Sequence, residues 1–139
     1  MREILFRGKR VDNGEWVQGF YFVEAGHFIK EPPSCVSTST YLVLPETICQ
    51  YTDLTDKNGV QIFEGDVVTG LFLYALPING CVGFREGAFG LHWMRGGWEE
   101  FTPFTSMCHV EFEIIGNIHD NPELMGGGNN DQNEPLRQA

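Results

Sequence analysis

The chain reads as a mainly β protein, and three features of its sequence say so. Eleven Phe, four Tyr and three Trp in 139 residues favour packed, pleated surfaces over helices. Seventeen Gly and seven Pro cut the chain into short segments separated by turns. Asn-Gly pairs at 13–14, 58–59 and 79–80 supply the positive backbone angles that tight turns need.

The elements follow in order. Residues 4–7 form a first short strand, 11–15 a turn, and 16–23 a second strand paired with the first as a hairpin. By strand alternation Trp16, Gln18, Phe20 and Phe22 share one face, and Val17, Gly19, Tyr21 and Val23 the other. Neither face is cleanly polar, so both require cover. Trp16, Phe20, Tyr21 and Phe22 are therefore candidate contacts between subunits of a homo-oligomer. Ala25-Gly26 turns the chain into a strand at 27–29, and Glu31 to Ser34 breaks it. Residues 37–40 form a polar loop or edge segment, and Pro45 stops a short strand at 41–44.

Residues 51–59 read as a turn-rich lead-in to a strand at 60–73 that is interrupted at Glu64-Gly65-Asp66. Asp56, Asn58, Gly59, Gly65 and Asp66 are the candidate structural turn residues, because short polar side chains bond nearby amides and Gly accepts bends. Residues 77–80 read as a turn. Residues 81–85 and 89–94 form a hairpin, 95–97 a turn, and 98–101 a further strand that Pro103 limits. Residues 110–115 alternate apolar with acidic side chains as a half-buried strand does. Asn121 and Pro122 suit the cap and first position of a helix. One domain over 1–125 results, with a soft lobe boundary near 45–50. The tail at 126–139, nearly without apolar anchors, is expected to be disordered.

The formal charge of -10 repels a nucleic-acid backbone, so nucleic acid is not expected as a general partner. The one basic cluster, Arg7, Lys9 and Arg10 with Arg2 nearby, reads as a solvated strand-and-turn face. The start of the chain lacks the apolar core of a secretory signal, and no window approaches the ~18 apolar residues of a membrane span. The cytoplasm is the expected compartment, with reduced cysteines.

No catalytic constellation emerges. Asp53, Asp56, Glu64 and Asp66 crowd one stretch, but their order lacks the spacing of a calcium loop and fits turn chemistry better. The cysteines (35, 49, 81, 108) and histidines (27, 92, 109, 119) form no half of a zinc site. Cys108 and His109 are adjacent, and strand neighbours point to opposite faces. Ser34, Ser37, Ser39 and Ser106 lack a nucleophile motif, and the Gly-Gly runs lack a phosphate-loop Lys. No cofactor or metal is expected. Trp93, Trp98, Phe89, Phe101 and Phe104 fit a barrel core or subunit interface; a base-stacking platform would have to recruit Arg85 and Arg95.

Three blocks carry a family resemblance: MREILFR at the start, YTDLTDKNG followed by IFEGDVV at 51–68, and IGNIHDNPEL at 115–124. In this order they resemble the YopX-like family of phage and prophage proteins. The resemblance implies a mainly β fold with an N-terminal sheet and a C-terminal SH3-like open barrel, a phage or prophage origin, and self-association. It brings no activity and no catalytic residues. The expected function is a non-enzymatic, self-associating interaction or assembly protein whose partner is a host or phage protein. The alternatives are a nucleic-acid-binding module using an aromatic and basic patch, an acidic inhibitor of a host protein and, last, a metal-assisted hydrolase.

Overall fold

A computed structural model describes residues 4–32, 39–72, 76–107 and 110–126. The chain is mainly β, its strands lying in antiparallel sheets, and it divides into two compact units, 1–54 and 55–139.

In the first unit the strands are β1 (Phe6–Lys9), β2 (Trp16–Val23), β3 (His27–Lys30), β4 (Thr40–Leu42) and β5 (Cys49–Thr55), in the sheet order β4-β3-β2-β1-β5. The turn between β1 and β2 closes on Asn13, whose side-chain oxygen accepts the Glu15 amide at 2.9 Å. Val17, Ile29 and Val43 form a buried core with Phe6, Tyr21, Tyr41 and Ile48 against it. Gly19 is needed for packing: a Cβ there would meet the Lys30 carbonyl oxygen at 2.2 Å. Thr47, buried in a 3₁₀ turn at Pro45–Thr47, accepts the Lys9 amide at 2.9 Å and donates to the Leu44 carbonyl at 2.7 Å.

One expectation fails here. The turn-rich lead-in at 51–59 is half strand, since β5 runs to Thr55. Cys49 and Tyr51 are buried, and the Tyr51 amide donates to the Leu5 carbonyl at 2.8 Å. Burial of alternate residues outweighs the turn preference of Asp53, which takes a positive φ of 71° inside the strand.

The second unit comprises β6 (Gln61–Phe63), β7 (Asp66–Phe72), β8 (Leu76–Arg85), β9 (Ala88–Arg95), β10 (Trp98–Pro103), β11 (Glu113–Asn117) and a short helix α1 (Glu123–Gly126). A sheet of five strands has the order β10-β9-β8-β7-β11. A 3₁₀ turn at Phe104–Ser106 leads out of β10. Ile62, Val68, Ile78, Val82, Leu91, Trp93, Met107 and Phe112 form the core.

Two further expectations are corrected. Residues 77–80 lie inside β8, where Ile78 is buried and pairs with Gly70. Strand β9 pairs with β8 only from Gly80 onward, so Pro77 sits where a residue without an amide proton is tolerated. The strand expected at 110–115 begins at Glu113 and runs to Asn117, with a register shift between Ile114 and Gly116. Upstream of it the Phe112 carbonyl accepts the Lys57 amide from the loop after β5, so a loop rather than a strand pairs with that stretch. Asn121 and Pro122 do precede α1, but the Asn121 side-chain oxygen reaches back to the Asn117 amide at 3.2 Å. The expected disorder of the tail falls outside the described residues beyond Gly126.

Candidate functional site

The registers of β1 to β4 sort the first sheet into two faces. Gly8, Val17, Ile29 and Val43 face the core. On the other face β1 places Arg7 and Lys9 opposite Gln18 and Trp16. Strand β2 continues that face with Phe20 and Phe22, opposite Lys30 and Phe28 of β3, which in turn oppose Thr40 and Leu42 of β4. Burial alternates over the first part of β2, with Val17 and Gly19 buried and Gln18 and Phe20 exposed; beyond it Tyr21 is half-buried and both Phe22 and Val23 are exposed. Phe20 is 49% exposed and Phe22 38%.

This face has a consistent chemistry. The Arg7 guanidinium lies 4.7 Å from the centre of the Trp16 ring and the Lys9 ammonium 5.5 Å from it, both as cation–π contacts. Phe22 and Phe28 stack with centroids 5.3 Å apart. Three cations and four aromatic rings thus share the positions of β1 to β4 on this side, and no carboxylate occupies any of those positions. In a chain with 19 acidic and 9 basic residues this is a strong segregation of charge.

Of the four aromatic residues expected at a subunit interface, the structure brings Trp16, Phe20 and Phe22 together on this face and separates Tyr21 from them. Tyr21 packs toward the core, its hydroxyl 2.7 Å from His27 Nδ1 and its ring 5.4 Å from that of Phe6. The sequence reading missed Phe28 and Lys30 as partners of this patch. The available signal was their alternation within 27–30, which becomes informative only with the β2–β3 register.

A profile of the family described as YopX protein matches residues 6–126. The chain belongs to the YopX family. Among solved structures it is similar to protein EF1440 from Enterococcus faecalis, at 22% identity, over 90% of this chain and 99% of that one, with a TM-score of 0.53. No curated protein matches the chain.

In this YopX-family chain the acidic stretch serves the backbone. One Asp56 oxygen accepts the amides of Asn58 and Val60 at 2.8 and 2.9 Å, and the other accepts that of Ile114 at 3.2 Å. Burial pushes this carboxyl up, but the Val60, Ile114 and Asn58 amides, with Lys57 nearby, outweigh it and hold it below the usual carboxylate range. Gly59 follows in the same turn, its amide on the Asp56 carbonyl at 3.0 Å. Asp66, 2% exposed, accepts the Phe63 amide at 2.8 Å across the Glu64-Gly65 bend. Gly65 has a φ of 86°, which disfavours any side chain with a Cβ, and its amide and carbonyl bond Val82 and Ile118.

Asp53 and Glu64 are engaged in neither set of bonds. Among the described residues no three of His, Cys, Asp or Glu converge on a metal-sized site. Cys49 and Cys81 are buried, their Sγ atoms donating to the carbonyls of Thr47 and Val82. Ser34, Ser37, Cys35, Cys108, His109 and the Arg95 side chain lie outside the described residues. Trp93 is a core residue whose Nε1 donates to Thr102 at 2.9 Å, so its ring is not offered to a ligand. Among the described residues no helix is long and apolar enough to cross a membrane.

Proposed function

We propose that this chain is a non-enzymatic interaction protein, encoded by a phage or prophage and working in the host cytoplasm, whose binding surface is the open face of the first sheet. The observation that carries the reading is the grouping of Arg7, Lys9 and Lys30 with exposed aromatic rings at strand positions that hold no carboxylate. Single exposed rings are ordinary on any surface, but adjacent rings grouped with cations mark a contact surface, and a face that only filled a core would exclude the cations. The engagement of Asp56 and Asp66 by backbone amides supports a non-enzymatic role, since neither carboxylate is free for acid–base work.

The second unit is then the scaffold, and we read it as an SH3-like open barrel. Four strands, β7 to β10, follow one another as a meander; after a 3₁₀ turn β11 returns to pair with β7. That order is the one an SH3-like barrel uses.

A second reading, self-association through the same face, draws on Phe20, Phe22 and Leu42, all large, apolar and exposed. Light scattering with wild type and Phe20→Ser tests both. A mass above the 15.7 kDa of one chain that falls with Phe20→Ser supports assembly through the face. For the broader reading, host extract is passed over immobilised wild type, Phe20→Ser and, as a control on the other sheet, Phe84→Ser. Loss of a retained component with Phe20→Ser alone is expected. Identical retention by all three, with unchanged mass, would remove this face as the binding surface.

A further inference from the structure

We propose that the open face of the first sheet binds single-stranded DNA, an inference that rests on the reading of that face as the binding surface. The occupant follows from charge and shape. Arg7, Lys9 and Lys30 share this side of the sheet with Phe20, Phe22 and Phe28, and the paired strand positions carry no Asp or Glu, so a ligand with regularly spaced anions and flat apolar groups complements them. A single strand of nucleic acid has both: phosphates for the cations and base faces for the rings. Phe20 and Phe22 lie two residues apart on one strand, about 6.6 Å along it, a step an extended single strand spans between neighbouring bases. A duplex hides its base faces and offers nothing for the rings. A second copy of this chain, docked face to face about a two-fold axis, would set the same three cations against themselves.

Gln18 and Thr40 are the uncharged polar side chains at these strand positions. A 2′-hydroxyl pressed against this mainly aromatic surface loses water with few partners to replace it, so the face favours DNA over RNA. The chain's overall net charge of -10 opposes the strand, so binding is modest and strongly dependent on salt.

The test is fluorescence anisotropy of a labelled oligothymidine of about twenty nucleotides, several times the smallest single-strand sites. Competitors are the RNA of equivalent sequence, a DNA duplex and dextran sulfate. Three phosphate contacts predict a log–log salt slope of about −2, or roughly a 20-fold loss between 50 and 200 mM salt. The double variant Lys9→Gln/Lys30→Gln flattens that slope. Phe20→Ala weakens binding by about fivefold or more and leaves the slope unchanged. Phe84→Ala, on the other sheet, changes nothing. Melting curves confirm that the variants are folded.

Competition by dextran sulfate equal to that by DNA, with Phe20→Ala neutral, would reduce the face to a plain anion binder and overturn the proposal. Equal or tighter binding of RNA would overturn the assignment to DNA. No oligonucleotide binding, together with a light-scattering mass that falls in Phe20→Ser, would replace DNA with a second copy and leave the binding face standing. No binding and no response to Phe20 in any assay would remove both.

Discussion

Both units expose large apolar side chains, but in different company. On the second sheet Met94 (62% exposed) pairs in register with Glu99, and Trp98 (78% exposed) is followed by Glu99 and Glu100. On the first sheet Phe20 pairs with Lys30, and Trp16 lies beneath Arg7 and Lys9. Exposed hydrophobic residues are common on any protein surface and by themselves identify nothing. The sign of the charge around them decides what can dock. In the first unit that sign runs against the composition of the whole chain, and it is there that a ligand is proposed. The second unit keeps its polar investment inside, in Asp56 and Asp66. Substitutions should therefore separate the units: those in the second should alter stability, and those on the open face of the first should alter binding.

The largest effect is expected from Asp66→Ala. It removes a buried acceptor and leaves the Phe63 amide without that bond, a loss of about 3 kcal/mol. Thermal melting should fall by about 10 °C, given a few degrees per kcal/mol for a chain of this size. A shift of one or two degrees would mean that the Glu64-Gly65 bend is held by other bonds, and that the second unit depends little on its buried carboxylates.

Gly65→Val comes next, at about 1–3 kcal/mol, because a β-branched residue is strained at a φ of 86°. Gly126→Val, near the end of the described chain, is the matched control and should be neutral. Equal melting temperatures for the two would show that the bend tolerates a side chain.

Acid sharpens the same contrast. The Asp56 carboxyl is held below its ordinary range in the folded chain. Its stabilising contribution is therefore complete above the unfolded value, about pH 4, and is lost as pH falls through the lower folded value. Asp56→Asn should cost about 1–2 kcal/mol at neutral pH, since one amide donor is left against another. It should also flatten the dependence of urea stability on pH below about 4. An unchanged acid profile in the variant would show that other carboxyls carry the transition.

Much of this was legible in the sequence, and the parts that were not share a cause. Strand β2 was read with its full bounds, because eight residues of strand-forming type lie between two turn signals. The hairpin turn at Glu86-Gly87 was equally plain. The fate of Asp56 was half legible: its bonds to Asn58 and Val60 are local, whereas its bond to Ile114 spans 58 positions. Strand β5 was hidden because its partner contacts, such as Tyr51 to Leu5, lie far off in sequence. The open face was hidden for the same reason. Alternation showed that Trp16, Phe20 and Phe22 share a side, but only the pairing of β2 with β1 and β3 adds Arg7, Lys9 and Lys30 to it.

The smallest expected effect on stability is the one that most sharpens the comparison. Phe20→Ser removes a ring that is half exposed and faces away from the core of Val17, Ile29 and Val43. Surface substitutions of this kind usually change stability by less than about 0.5 kcal/mol, so the melting curve should be superimposable on wild type. Tyr21→Ser, one position along the strand, should behave in the opposite way. It loses a packed, half-buried ring and the hydroxyl contact with His27, about 1–2 kcal/mol, less than truncation of a fully buried ring costs. Two adjacent residues of similar size thus separate the two sides of one strand: Tyr21 holds the sheet and Phe20 presents it. If both variants melted alike, the alternation of β2 would not divide core from surface, and the open face would lose its standing as a binding site.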